Sequence, residues 1–317
     1  MKRLMNLLIA CWLMMVLTGC SGLRQEQPDH QQPAYQVVDS QGQVVKLMSK
    51  PQRIISLSIG TDEFVVDLVP LERIAALTYL SDDAGISNIT EQAKLVAKKV
   101  KANPEQIIAL QPDLVIIPDW QPQEMIQTLR ESGVPVYVYH APSTIEEIKH
   151  NIRDIAKVLG EEAAGDRITT QMDEELAEIK AKVDTIPPEK RVTVLRFTLL
   201  GASGGRESLF DDICHYAGVQ NGAALAGLGK YENMSQEQIV KVNPDVFIMP
   251  MWDYTGENNM LQYKEKVRQD PGLQSVKAVL SNRLILLPDR YQNSSSHYIV
   301  QGIRDVAQAA YPELSWK

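Results

Sequence analysis

Three groups of residues have the types and spacing that do chemistry. Gly201-Ala202-Ser203-Gly204-Gly205 fits G-x-S-x-G, the turn that exposes a serine nucleophile between a strand and a helix. An apolar run at 192–199 precedes it and an amphipathic one at 208–217 follows, which is the context an elbow needs. Asp289 and His297 come later, in the chain order of a hydrolase triad. That pattern reads as an extracytoplasmic serine hydrolase. It reads equally as a glycine-rich turn in which Ser203 bonds backbone or a ligand. The second group is aromatic. Tyr79, Trp120, Tyr139, Tyr231, Trp252, Tyr254 and Tyr291 all fall just after apolar runs of strand length, in company with Asp119, His140, Met251, Asp253, Arg206 and Arg290. Only 6% of the chain is aromatic, so this clustering is selective. Flat rings at strand ends suit a large, flat ligand such as a metal chelate. His140 is a candidate axial ligand to haem iron, or a hydrogen-bonded loop histidine. Asp119, Asp253 and Asp289 suit polar ligand edges, or simply turns. Arg206 and Arg290 are the arginines of these loops, too few for a highly anionic chelate that calls for several guanidinium forks.

The third group is a pair of glutamates inside a segment that occurs twice. NPEQIIALQPDLVIIPDW (103–120) aligns without a gap on SQEQIVKVNPDVFIMPMW (235–252). Glu105 matches Glu237, Pro112-Asp113 matches Pro244-Asp245, and Trp120 matches Trp252. The repeat distance is too long for a solenoid and implies two similar lobes, each built on one helix–turn–strand unit. Asn103 and Ser235 are suited to cap the two helices, with Glu105 and Glu237 in the first turns. An acidic first turn contributes about 0.3–1 kcal/mol through the helix dipole. The dipole accounts for either glutamate alone, not for a matched pair with one on each lobe.

The surrounding pattern supplies elements to position these groups. A hairpin is expected over 37–47, turning at Ser40-Gln41-Gly42. Short apolar runs at 53–57, 74–77, 114–117 and 136–139 read as buried strands, with helical patterns at 62–69, 104–110 and 124–132 between them. The second half repeats the plan with strands at 192–199, 246–249 and 284–287 and helices at 208–217, 236–242 and 298–310. Strands alternating with amphipathic helices imply parallel sheets covered on both faces. Between the halves, Ile145, Ile148, Ile152, Ile155 and Leu159 form a helical stripe that Gly160 ends. Residues 161–183 then run without proline. A helix of that length covers roughly 35 Å, enough to join two lobes as a stiff connector with little hinge closure.

The N-terminus carries an address. Lys2 and Arg3 precede an apolar run at 4–17 interrupted only by Asn6, the form of a signal-peptide core. The run ends in Leu17-Thr18-Gly19-Cys20, which resembles a bacterial lipobox, with cleavage before Cys20 and lipid on its thiol. Residues 21–32 are mostly polar and read as a tether. No other apolar run approaches membrane-spanning length. A net charge of −8 argues against nucleic acid as the main partner. Cys11 and Cys20 belong to the leader and anchor, so Cys214 stands alone and no internal disulfide is expected. Its place in the pattern Leu209-Phe210-Ile213-Tyr216 suits a buried structural thiol.

Taken in order, several segments resemble the class III binding proteins of ABC importers for cobalamin, haem and iron–siderophore complexes. Pro51-Gln52-Arg53-Ile54-Ile55-Ser56-Leu57-Ser58 is similar to that family's first strand. Pro112-Asp113-Leu114-Val115-Ile116 is similar to its PDLVI motif. Ala217-Gly218-Val219-Gln220-Asn221 resembles its AGGxN segment, with Val219 in place of the second glycine. The likeness runs from Tyr35 to Trp316. It implies an α/β fold of two lobes joined by one spanning helix, with a signal at 1–19, a tether at 20–34, lobes at 35–158 and 186–317, and the connector at 159–185. It also implies a monomer without catalytic activity or a catalytic cofactor. Such a protein would be held at the extracytoplasmic face of the cell membrane by lipid on Cys20. It would carry a corrinoid, in slight preference to a ferric siderophore or haem, to a permease dimer with its ATPase subunits. Glu105 and Glu237 would dock onto permease arginines, as glutamates at these motif positions do in the cobalamin-binding relatives. Tyr79, Trp120, Tyr231, Trp252, Tyr254 and Tyr291 would face the ligand, with Asp119, His140, Arg206 and Met251 as further candidates. A surface sensor or adhesion lipoprotein would share the anchor but needs no aromatic cleft.

Overall fold

The structure is a computed structural model and describes residues 34–253 and 255–316. The signal, Cys20 and the tether up to residue 33 lie outside the described residues, as does Tyr254. Two parallel sheets carry the fold. The first has the order β5-β4-β3-β6-β7, built from Lys99–Val100, Ile74–Thr78, Ile54–Ser56, Leu114–Pro118 and Val136–Tyr139. The second has the order β10-β8-β11-β12, from Gln220–Asn221, Thr193–Thr198, Val246–Pro250 and Leu284–Leu287, with β9 (Gly201–Ala202) antiparallel to β8. A separate hairpin pairs β1 (Tyr35–Val38) with β2 (Val44–Leu47). Strands β3, β4, β6 and β7 are almost wholly buried, which is why they read as continuous apolar runs rather than alternating ones.

The duplicated segment folds alike in both lobes. Helices Pro104–Ala109 and Gln236–Val242 are capped by the side chains of Asn103 and Ser235. Each is followed by a left-handed residue, Gln111 at φ 49° and Asn243 at φ 52°, that turns the chain into the strand. Asp113 then accepts from the backbone N–H of Gln52 (2.6 Å) and Arg53 (2.8 Å), and Asp245 accepts from that of Thr193 (2.9 Å). In each lobe the Pro-Asp pair thus ties its own strand, β6 or β11, to the start of the neighbouring strand, β3 or β8. Ile107 and Ile239 anchor the two helices in the core.

Helix Ile145–Leu159 is capped by Thr144 and stops at Gly160 (φ 71°). The spanning helix Glu162–Val183 follows at once. Its buried face, including Ile168, Met172, Leu176, Ile179 and Val183, belongs to one continuous core. That core also contains Phe64 and Ile152 of the first lobe and Phe210, Ile303 and Val306 of the second. Two smaller clusters, one per sheet, fill the opposite face of the first and of the second sheet. A connector packed along both lobes resists bending, since any hinge motion would have to open this core. Cys214 is buried in it, and burial pushes its thiol pKa well up, as befits a structural thiol.

Candidate ligand cleft

In each sheet the strand order reverses between two neighbours, β3 and β6 in the first and β8 and β11 in the second. Loops leaving such a pair diverge and open a crevice at the carboxyl ends of the strands. A cavity of about 600 Å³ lies at that edge of the first sheet and is closed on its other side by the second lobe. Ser58 enters it from the loop after β3 and Gly60 from the first turn of the helix that follows, Thr78 and Tyr79 from the end of β4, Trp120 and Gln121 from the loop after β6, and Ala141 and Pro142 from the loop after β7. Leu209, Asn293 and Ser295 face them from the second lobe.

The walls are aromatic and the floor is hydroxylic. Tyr79 is 51% exposed and Trp120 64%, so both rings are available to a ligand. The Lys101 ammonium stands 5.1 Å from the Tyr79 ring centre and puts a positive charge on the same wall. Beneath them runs a chain of hydroxyls: Ser58 Oγ lies 2.7 Å from the Tyr139 hydroxyl and 2.9 Å from Thr61 Oγ1, which lies 2.5 Å from Ser56 Oγ. Ser58 also caps helix Ile59–Leu68, whose N-terminus therefore opens on the cavity. Asp62 sits fully buried behind this floor. Its Oδ2 accepts from the N–H (2.9 Å) and hydroxyl (2.6 Å) of Thr78, while Oδ1 has no partner. Burial drives its pKa up to about 7, with the Thr78 bonds opposing the rise. Burial likewise raises the Tyr139 pKa, so its hydroxyl stays protonated.

Of the residues singled out by type and position, the structure brings Tyr79, Trp120 and Tyr139 into the cavity and places the others outside it. Asp119 accepts from the backbone of Ala141 (3.1 Å) and pairs with His140 Nδ1 (2.6 Å), holding the wall loop in shape. Tyr231 is 86% exposed beyond the cavity, with the Lys230 ammonium over its ring. Trp252 bridges the lobes: its indole N–H donates to Asp83 Oδ2 (3.0 Å), and a Cβ on Gly85 would come within 1.9 Å of its ring. Asp289 accepts from the N–H of Met251 and of Trp252, 2.8 Å each. Arg206 is exposed, outside the cavity, and donates its backbone N–H to Leu228. Tyr291 lines a different cavity, against the spanning helix, with Arg290 stacked on its ring. Ser58, Thr78, Asn293 and Ser295 were not singled out. Ser58 was legible as a helix cap after a buried strand; for Asn293 and Ser295 no local signal exists.

The hydrolase constellation does not assemble. His297 Nε2 pairs with Asp67 (3.2 Å) and lines the cavity beside the spanning helix, Asp289 is taken up by backbone amides and Asn293, and neither residue hydrogen-bonds Ser203. The glycines of that turn have a packing reason instead. A Cβ on Gly205 would lie 2.1 Å from the Leu228 carbonyl oxygen, and Gly204 takes φ 84°. Asn221 donates to the Gly204 carbonyl (2.8 Å), which links this turn to the Ala217–Asn221 segment. There Gly218 takes φ 66° and abuts Val183, so the first glycine of that segment is required while Val219 is simply buried core.

Glu105 and Glu237 are both exposed, and neither carboxylate makes a hydrogen bond or ion pair among the described residues. They occupy the same place in the two copies of one helix, one on each lobe.

The model of the periplasmic binding protein family matches residues 54–291. The chain belongs to the periplasmic binding protein family. It is 26% identical over 220 residues to a vitamin B12-binding protein of Vibrio parahaemolyticus, a match covering 68% of this chain and 77% of that one. It is 24% identical over 219 residues to a cobalamin-binding protein of Halobacterium salinarum, covering 66% of this chain but only 57% of the relative. The fold is shared with the apo structure of a periplasmic heme-binding protein from Roseiflexus sp. RS-1, with a TM-score of 0.69 and 23% identity over 82% of this chain and 98% of the other. No described helix is long and apolar enough to cross a membrane.

Proposed function

We propose that this protein is a lipid-anchored, extracytoplasmic solute-binding protein that captures a metal chelate and delivers it to an ABC importer. The observation that carries the reading is a cleft between two lobes whose exposed walls are Tyr79 and Trp120 and whose floor is a row of hydroxyls. Rings stack on the face of a flat chelate, and hydroxyls and Asn293 satisfy its polar edge. The relatives named for vitamin B12 and cobalamin support a corrinoid over haem or a ferric siderophore. Glu105 and Glu237 are the docking residues: a carboxylate left unpaired on each lobe suits a partner with two-fold related arginines. An exposed ion pair contributes about 0–1 kcal/mol, but truncating one that is desolvated at an interface costs about 2–5 kcal/mol. No catalysis is assigned to the cleft. The anchor is Cys20, and the chain divides into lobes at 35–158 and 186–317.

The test is calorimetry of the purified protein against cyanocobalamin, hemin and a ferric hydroxamate. At least one is expected to bind with a micromolar or tighter Kd. Binding to none of them, together with ester cleavage lost in Ser203→Ala, would replace this reading with the hydrolase. For the anchor, Cys20→Ala is expected to yield unprocessed precursor or released protein, and unchanged membrane fractionation and mass would refute the lipid.

A further inference from the structure

One carboxylate is buried at the boundary between the lobes. Glu63, on helix Ile59–Leu68 of the first lobe, is 1% exposed. Its Oε1 accepts from the N–H (2.9 Å) and side-chain amide (2.7 Å) of Asn88, in its own lobe. Its Oε2 accepts from the hydroxyls of Ser294 (2.9 Å) and Ser296 (2.5 Å), in the other lobe. Asn88 extends the contact by donating to the Arg290 carbonyl (2.8 Å). All four donors to Glu63 are neutral. A carboxylate buried without a cation is an expensive way to hold two surfaces together, since a packed apolar pair does so at lower cost. What it supplies is direction and register.

The register is visible in the alternation of the loop. Ser294 and Ser296 face Glu63, while Asn293 and Ser295 line the ligand cavity. Ser295 is pressed against the first lobe so closely that a Cβ on Gly60 would come within 2.0 Å of its Oγ. Asn293 is held from its own lobe, accepting from Arg196 (2.5 Å) and donating to Asp289 (3.0 Å). A shift of the loop by one residue would exchange the two sets and withdraw both cavity-facing side chains.

We propose that Glu63 is a positioning residue for the ligand site. By fixing Ser294 and Ser296 it sets the register of the second lobe's wall and its distance from the first, and so determines how firmly the cleft holds its ligand. This rests on the solute-binding reading above. The full-length protein tests it with Glu63→Gln, which offers one oxygen to four donors, measured by calorimetry and stopped-flow dissociation with cyanocobalamin, hemin and a ferric hydroxamate. The expected result is a Kd raised about tenfold, mostly through faster dissociation. Ser294→Ala/Ser296→Ala is expected to lose affinity similarly, and Asn293→Ala to weaken binding less in the Glu63→Gln background than in the wild type. A purely structural role would not produce that last coupling. Hydrogen exchange should rise in residues 292–298 and stay unchanged in strand 114–118. Kd and dissociation rate within twofold of wild type, or an Asn293→Ala effect equal in both backgrounds, would overturn the proposal. If the wild type binds none of the three probes, the functional reading fails, and exchange still decides: unchanged protection of 292–298 in Glu63→Gln overturns the positioning role as well.

Discussion

Trp120 and Trp252 occupy the same place in two copies of one segment, two residues beyond the prolines that end β6 and β11, and their surroundings differ. Trp120 is 64% exposed and walls the cavity. Trp252 is half-buried, lies on Gly85 and donates to Asp83 in the opposite lobe. The aspartates of the repeat do the same work in both lobes, tying the start of a neighbouring strand. The residue that follows the strand is free to diverge because its partners come from elsewhere in the chain. A repeated motif therefore keeps the scaffold of a lobe and leaves the end of each strand to specialise: the first lobe leaves its ring exposed on the cavity wall, and the second uses its ring as a brace.

The largest expected effect concerns what the lobes still share. Glu105→Ala/Glu237→Ala is expected to reduce uptake of the transported chelate in whole cells at least about tenfold, since in the proposed importer complex each truncation would remove a charge desolvated at the interface. Ligand affinity should stay within about twofold, and stability should fall only by the two lost dipole contributions, about 0.3–1 kcal/mol each. Normal uptake by the double variant would leave both residues as helix-start residues and nothing more.

The tryptophans sharpen the comparison next. Trp120→Ala should weaken ligand binding about tenfold to a hundredfold in calorimetry, with little change in melting temperature. Trp252→Ala should show the opposite emphasis, a loss of about 1–3 kcal/mol in denaturant unfolding and a smaller change in affinity. Gly85→Ala, which places a methyl group where the Trp252 ring lies, should reproduce that loss of stability without touching Trp120. Equal affinity losses from the two tryptophan variants would mean that both lobes present a ring to the ligand.

A pH series probes the floor of the first lobe's cleft. Asp62 has a pKa raised to about 7 by burial under the first lobe's cleft. A carboxylate raised in this way contributes stability that is fully present below its unfolded pKa, near 4, and is lost as pH rises through about 7. Unfolding free energy should therefore contain a component that falls between pH 4 and pH 8. Asp62→Asn should remove that slope and gain on the order of 1–3 kcal/mol at pH 8 relative to the wild type. An unchanged slope in the variant would place the ionising group elsewhere. The smallest effect is that of either glutamate alone on folding: Glu105→Ala or Glu237→Ala should cost about 0.3–1 kcal/mol, measurable by denaturant melts at low salt.

Much of the scaffold was legible. Asn103 and Ser235 cap the helices their side chains suited, and Gly160 ends one because it takes φ 71° without strain. The buried strands read as apolar runs because helices cover both faces of their sheets. The candidate site was legible only in part. Tyr79 and Trp120 stand at the strand ends that face the cavity, but Tyr291, at an equally good position in sequence, lines a different cavity, and His140 spends its ring nitrogen on Asp119. G-x-S-x-G is satisfied by Gly205 making room for Leu228, a packing demand that a pattern of types cannot distinguish from a catalytic one.

The amino-acid sequence by itself determined the duplicated helix–turn–strand unit, the α/β class, the connector and the matched pair of acidic helix starts. Each depends on contacts within a few residues or on the period of the apolar pattern, and both are written locally. Tertiary structure alone decided which strand ends share a cavity, that Trp252 braces the lobes, and that Glu63 meets Ser294 and Ser296 from more than two hundred residues away. Those are juxtapositions of side chains from separate elements. Their distances follow from how two sheets and one long helix pack together, which no local window of residues encodes.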